Sequence, residues 1–214
     1  MLQLLLTPNR DCGSIAVSTF GIKPPTKNIM TYRNVILSAL LSLGLAASSF
    51  AAHHAKGEGA EPSVFSQSFL GYYGGETDKL VDLAKAFSED GFDWRPADGI
   101  RSVRESILHV ASANYFIASR FLGAEMPEGL NPRGFEDSVK GKAATIKTLE
   151  ASIEFVKKAV GNVDEASLSE SIKMFGRDST KMGAVMVLGG HAYEHLGQLI
   201  AYARSSGVVP PWSQ

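Results

Sequence analysis

Three of the five histidines in this sequence are placed where they can act together on a metal ion. His191 and His195 are four residues apart, which puts both imidazoles on one face of a helix, one turn apart. Two imidazoles with this spacing can bind one divalent ion at Zn–N distances of about 2.0–2.1 Å. His109 lies in a separate helical segment, flanked by small side chains that leave room beside its ring. The pattern predicts a divalent-metal site formed by His109, His191 and His195, with ordinary packing histidines as the alternative.

The residues around the histidine pair indicate two further roles. The string from His191 to His195 fits the pattern H-x-x-E-H, in which Glu194 would be the general base of a zinc hydrolase. That interpretation needs a third ligand, yet no Asp, Glu or His follows His195. Glu194 also points roughly 80° away from the two histidines on an ideal helix. Glu194 is therefore the candidate catalytic residue, and Gln198, one turn beyond His195, is the candidate hydrogen-bond partner of a ligand imidazole.

Ligand chemistry and composition limit which metals and partners are possible, but they do not select one. Imidazole ligands suit zinc, nickel, iron and copper, and availability decides among them, so we expect Zn, Ni or Fe. With a net charge of -1, the chain has no excess of positive charge of the kind that binds nucleic acid. A hydrophobic content of 44% excludes a wholly disordered chain. The expected partner is a small-molecule substrate of unknown identity.

The elements that must position these histidines have the periodicity of helices. Ser102 and Glu105 form a capping box at the start of the second segment, and Gly74-Gly75 is a weak point or kink in the first. No segment shows sustained alternation of apolar and polar residues. We therefore predict an all-α protein, an antiparallel four-helix bundle. The four segments cover about residues 63–88, 102–122, 138–160 and 179–205.

The fourth segment is apolar nearly all round. One of its stripes includes Met186 and Tyr193, and another includes Leu188 and Tyr202. A helix with two apolar faces must bury both, one inside the bundle and the other against a partner surface. We therefore expect a homodimer.

The amino-terminal region is interpreted as a targeting sequence. Residues 30–51 contain Arg33, an apolar run of about a dozen residues and small residues up to Ala51, which is the pattern of a signal peptide cut after Ala51. The run is shorter than the roughly 20 apolar residues that span a membrane. Cleavage would remove Cys12, the only cysteine, so we expect an exported protein, periplasmic or extracellular, without membrane attachment. The other boundaries are an over-extended start or leader at 1–29, a linker at 52–62 and the bundle domain at 63–214.

Two stretches of the chain together resemble a known family. A W-x-P turn, Trp94-Arg95-Pro96, precedes the helix that carries His109. The histidine pair is followed by Gly197-Gln198, Tyr202-Ala203-Arg204 and Gly207-Val208-Val209-Pro210-Pro211. This combination is similar to the DinB/YfiT-like superfamily over about residues 63–213. The resemblance implies a four-helix bundle, often dimeric, with a divalent metal held by three histidines, by position His109, His191 and His195.

The resemblance leaves the reaction open. Characterised members of that superfamily include transferases and isomerases that use low-molecular-weight thiols, and a metal-dependent hydrolase. The predicted function is an exported metal-dependent hydrolase or transferase of unknown substrate. Export counts against a thiol transferase, because thiol cofactors of that kind are cytosolic. The alternative is a non-catalytic metal-binding protein, or a structural dimeric protein of the cell envelope.

Overall fold

The computed structural model describes residues 62–213, and the predictions made for Cys12, the leader, the signal peptide and residues 52–61 lie outside the described residues. Within the described part, four long helices and one short helix are joined by turns and a two-stranded hairpin. The predicted all-α four-helix bundle is confirmed. The helices are α1 Val64–Ala86, α2 Val103–Leu122, α3 Phe135–Ser138, α4 Lys142–Gly161 and α5 Lys181–Ser205, and the strands are β1 Ser171–Met174 and β2 Arg177–Thr180.

Side-chain capping fixes the start of α2, the helix that carries His109. The hydroxyl of Ser102 accepts the backbone N–H of Glu105 at 3.2 Å, and the Glu105 carboxylate accepts the backbone N–H of Ser102 at 2.8 Å. The predicted capping box is therefore present. The N–H of Ser102 and the nearby Arg95 hold the pKa of Glu105 below its usual value. Gly123, with a φ of 76°, ends the helix.

The third predicted segment begins later than expected. Instead of one helix from residue 138, the chain forms the short α3 and then a separate α4 that starts at Lys142. Val139 is extended, and Gly141 has a φ of 77°, which an α-helix does not include. The break leaves α3 as a four-residue helix lying against α2.

A short hairpin, which the sequence analysis did not predict, interrupts the otherwise helical chain. β1 and β2 pair antiparallel, with Met174 opposite Arg177. The turn residues Phe175 and Gly176 have φ values of 50° and 80°, as a two-residue hairpin turn of the primed type requires. The Phe175 ring packs against Phe121 of α2 at 5.7 Å between centroids. β1 alternates polar and apolar residues over its four positions, but β2 is polar throughout, so the sequence shows no sustained alternation across the hairpin.

The long helices surround one main core, and a second, smaller cluster joins α2 to α3. Both α1 and α2 pack against α4 and α5, so α1 and α2 lie at opposite corners of the bundle. None of the helices in residues 62–213 is long and apolar enough to cross a membrane. The largest completely buried side chains are contributed by all four long helices and the turn after α1: Tyr73, Phe87, Phe92, Leu80, Leu83, Ile107, Leu108, Leu149, Leu188 and Leu199.

Helix α5 has one apolar face in the core and another at the surface. Leu188 and Tyr202 are buried, whereas Met186 is 60% exposed. Met186 lines an apolar groove of about 360 Å³ between α1 and α5, together with Tyr72, which is 76% exposed. α1 continues as helix through Gly74 and Gly75. The homodimer expected from this second face stays a prediction.

Candidate metal centre

The packing of α2 against α5 brings the three predicted ligands together. His109 comes from α2, and His191 and His195 come from successive turns of α5. One ligand atom from each lies within 4.8 Å of the others, and the ring centroids are 4.5–5.1 Å apart. All three side chains are half-buried. The group is therefore close-packed and still open to solvent on one side.

The distances fit a metal ion. The Nε2 atoms of His109 and His191 are 3.3 Å apart. Ligand atoms bonded to zinc at about 2.0–2.1 Å in tetrahedral geometry are separated by about 3.3–3.4 Å. This pair therefore already has the separation that two ligands of one ion require. Three protein nitrogens leave at least one coordination position open, as in catalytic zinc sites rather than closed structural ones.

Hydrogen bonding fixes which nitrogen of His195 is free to bind. The Oε1 atom of Gln198 lies 2.7 Å from His195 Nδ1, and the amide nitrogen of Gln198 donates to the hydroxyl of Tyr202 at 2.7 Å. Because the amide oxygen can only accept, Nδ1 carries the proton and Nε2 keeps its lone pair. Tyr202 packs edge-on against Trp94, with ring centroids 5.4 Å apart. The tryptophan of the W-x-P turn therefore holds the tyrosine that binds Gln198.

Burial and charge keep two of the imidazoles neutral. Burial, followed by the neighbouring His195 and His109 and by Arg101, lowers the pKa of His191 to about 4. Burial is also the main cause that lowers the pKa of His109, with contributions from Arg101 and His195. Neutral imidazole is the form that ligates a metal, so both side chains are ready to bind at pH 7 without first losing a proton.

Comparison with known proteins agrees with this architecture. The sequence model of the DinB family matches residues 62–214. The chain belongs to the DinB family. No curated protein matches it.

Three solved structures, two of them of DinB-like proteins, have the same fold. A DinB-like protein from Bacillus cereus is 16% identical, with a TM-score of 0.58 over 68% of this chain and 95% of that one. A DinB-like protein from Bacillus subtilis is 20% identical, with a TM-score of 0.53 over 71% of this chain and 98% of that one. A conserved protein from Enterococcus faecalis is 17% identical, with a TM-score of 0.53 over 65% and 95%. At these identities the likeness concerns the fold alone.

The candidate catalytic residue of this DinB family protein lies apart from the histidine group. Glu194 is exposed on α5, and its carboxylate is not among the ligand atoms that converge. Its position agrees with the angular offset expected on an ideal helix. Gln198, in contrast, contacts His195 directly, and its role as the partner of a metal-ligating imidazole stays a prediction.

Two charged residues near His109 were missed by the sequence analysis. Glu136 in α3 has its Oε1 atom 3.5 Å from His109 Nδ1. Arg101, just before α2, donates through Nε to both carboxylate oxygens of Glu136 at 3.2 Å. Glu136 is 27 residues beyond His109 along the chain and lies in a four-residue helix, so no periodicity or spacing in the sequence indicated this contact.

Proposed function

We propose that this DinB family protein binds one divalent metal ion through the Nε2 atoms of His109, His191 and His195, and acts on a small-molecule substrate by hydrolysis or group transfer. The observation that carries the proposal is the 3.3 Å separation of the His109 and His191 Nε2 atoms beside the third imidazole. A divalent ion held there would supply Lewis-acid chemistry at the positions that three histidines leave open.

The surrounding residues support metal binding by holding the imidazoles in the right form. Gln198 accepts the Nδ1 proton of His195 and is itself held by the Tyr202 hydroxyl. This arrangement keeps the His195 ring from rotating and directs its lone pair away from Gln198. The burial that lowers the pKa of His191 to about 4 keeps that side chain neutral over the physiological range.

A second candidate function is non-catalytic metal binding, and one observation favours it. In the described part of the chain, the carboxylate in contact with the histidine group is Glu136, and Arg101 already binds both of its oxygens. Glu194, the other candidate base, is exposed and outside the group. A site without an available base suits a metal-handling or structural role better than hydrolysis.

Metal content is the first test of the proposal. Elemental mass spectrometry on the purified protein should give about one ion per chain, and the double variant His191→Ala/His195→Ala should lose it while keeping its helical content. The double variant Glu194→Ala/Arg204→Ala is a matched control, because it changes two exposed positions of the same helix. Absence of metal from the wild-type protein after reconstitution would contradict the proposal, as would retention of the ion by the histidine double variant.

Chelation then separates the two candidate functions. If the ion is structural, its binding free energy is folding free energy, and removing it lowers the melting temperature markedly. If the ion is catalytic, the metal-free protein stays folded and turnover disappears with the metal. Should Glu194 be the general base, Glu194→Gln would abolish turnover without loss of metal or fold. Unchanged turnover in Glu194→Gln would remove it as a candidate.

We also propose that the protein is exported, on the basis of the apolar run and small residues that precede Ala52 in the sequence. Intact-mass analysis of the protein from the periplasmic fraction should give a chain that begins at Ala52. A full-length chain confined to the cytosol would contradict export. That outcome would also reopen the thiol-dependent reactions that export disfavours.

A further inference from the structure

The second nitrogen of His109 faces a carboxylate. His109 Nδ1 lies 3.5 Å from Glu136 Oε1, within ion-pair distance, while Nε2 of the same ring faces His191 at 3.3 Å. The two side chains are 32% and 33% exposed, so water screens this contact only in part. The ring therefore lies between a partner carboxylate on one side and the other candidate ligands on the other side.

The position of Glu136 is itself fixed from two directions. Its carboxylate accepts from Arg101 Nε at 3.2 Å through both oxygens. Its backbone carbonyl accepts from Arg104 Nη1 at 2.8 Å, and the same guanidinium donates to the Val139 carbonyl at 3.3 Å. The adjacent Phe135 is buried and packs edge-on against Tyr115 of α2, with ring centroids 5.9 Å apart. Both arginines and the aromatic contact thus attach α3 to the helix that carries His109.

The Nδ1 atoms of His195 and His109 face partners that differ in charge. His195 Nδ1 faces the neutral amide oxygen of Gln198 at 2.7 Å, whereas His109 Nδ1 faces a carboxylate. A carboxylate is the stronger acceptor for an imidazole N–H, and it makes the opposite nitrogen a more basic metal ligand. Arg101 pairs with the same carboxylate, so Glu136 offers His109 a local hydrogen-bond acceptor rather than a net negative charge.

We propose that Glu136 is a positioning residue for the metal centre, which accepts the Nδ1 proton of His109 and thereby directs the Nε2 lone pair toward His191 and His195. Arg101 holds the Glu136 carboxylate in place for this role. The proposal rests on the proposed function for its effect on metal affinity, but its effect on the His109 tautomer does not require a metal.

The test compares three variants of the full chain by two readouts. The first readout is the zinc dissociation constant, from competition with a chromophoric chelator. The second is the His109 tautomer in the metal-free protein, from imidazole ¹⁵N chemical shifts. Glu136→Ala removes the acceptor, Glu136→Gln keeps an acceptor without the charge, and Asp137→Ala removes a neighbouring exposed carboxylate of α3 as the matched control. Circular dichroism checks that each variant is folded.

We expect Glu136→Ala to weaken zinc binding by about 10- to 100-fold, as is typical for partners of ligand histidines. Glu136→Gln should recover part of that loss, and Asp137→Ala should bind zinc like the wild type. In the metal-free protein, His109 should be protonated at Nδ1 in the wild type and should become a mixture of tautomers in Glu136→Ala.

Three results would overturn the proposal. One is a wild-type dissociation constant in Glu136→Ala, and another is an equal loss in Asp137→Ala, which would indicate a general charge effect. The third is a His109 tautomer that does not respond to Glu136→Ala. A wild-type protein that binds no zinc, nickel or iron refutes the proposed function instead, and the tautomer measurement then still decides whether Glu136 orients His109.

Discussion

Gly189 and Gly190 are adjacent in α5, yet an added methyl group would meet different surroundings at the two positions. A Cβ atom at Gly190 has no neighbouring heavy atom within 4 Å, whereas one at Gly189 lies 3.1 Å from Cε2 of Phe69. Replacing glycine by alanine inside a helix stabilises a protein by roughly 0.5–1 kcal/mol when the space is free. We therefore expect Gly190→Ala to raise the free energy of unfolding by that amount.

Gly189→Ala should lower the free energy of unfolding instead. Phe69 borders the apolar groove on one side and is stacked on Tyr73 at 5.3 Å on the other, so the shift of a few tenths of an ångström that the added methyl requires would loosen this stacking. Overpacking of this kind costs about 1–3 kcal/mol, which exceeds the gain in helix propensity. Because Gly189 lies two residues before His191, the close approach of α1 at this point also helps to set the rotation of the helix that carries the histidine pair.

Urea unfolding followed by far-UV circular dichroism measures both effects, and thermal melts should differ by about 2–4 °C for each kcal/mol. Equal stabilisation by Gly189→Ala and Gly190→Ala would refute the steric argument. A double-mutant cycle with Phe69→Leu tests the cause, since Gly189→Ala should cost less where the ring is absent. A coupling energy near zero would show that Phe69 is not the obstacle.

Three further predictions concern acidification, capping and assembly. In the metal-free protein, His191 has a pKa of about 4 when folded and about 6.5 when unfolded, so the unfolded state binds more protons between these values. Its contribution to stability is complete above pH 6.5 and is lost as the pH falls toward 4; urea titrations at several pH values should show a smaller loss for His191→Asn than for the wild type, and equal losses would contradict the assignment. Ser102→Ala removes the cap of α2 and should cost about 1 kcal/mol in the same assay, whereas an unchanged midpoint would show that the hydroxyl is dispensable. For the expected homodimer, light scattering should give twice the mass of one chain, and Met186→Lys in the exposed groove should reduce the measured mass to that of one chain. A wild-type monomer would show that the second apolar face of α5 needs no partner.

Much of the site could be predicted because its information is local. The spacing of His191 and His195 specifies a shared helix face whatever the tertiary structure, and the same holds for Gln198 one turn beyond. The capping box at Ser102 also depends only on neighbouring residues, which explains why it was found at the predicted position. These features follow from the geometry of a single helix.

The hairpin and the break before α4 depend on backbone conformations that the sequence does not indicate clearly. The turn at Phe175 and Gly176 requires positive φ at both residues, and a phenylalanine in that conformation is not expected from the sequence. Its ring packs against Phe121, more than fifty positions earlier in the chain, while the residue stays 64% exposed. Gly141, likewise, has a φ of 77° and lies between α3 and α4, inside the segment that the sequence predicted as one helix from residue 138.

The sequence by itself thus determined the four long helical segments, apart from the break before α4, and the three histidines that lie together. Only the tertiary structure decided that α2 packs against α5 so that His109 Nε2 lies 3.3 Å from His191 Nε2. Only the tertiary structure placed Glu136 and Arg101 behind His109, because α3 is attached to α2 by contacts between residues about 30 positions apart. The periodicity of one helix carries no information on the rotation of another, so the partners of His109 were set by packing between helices rather than by any local pattern.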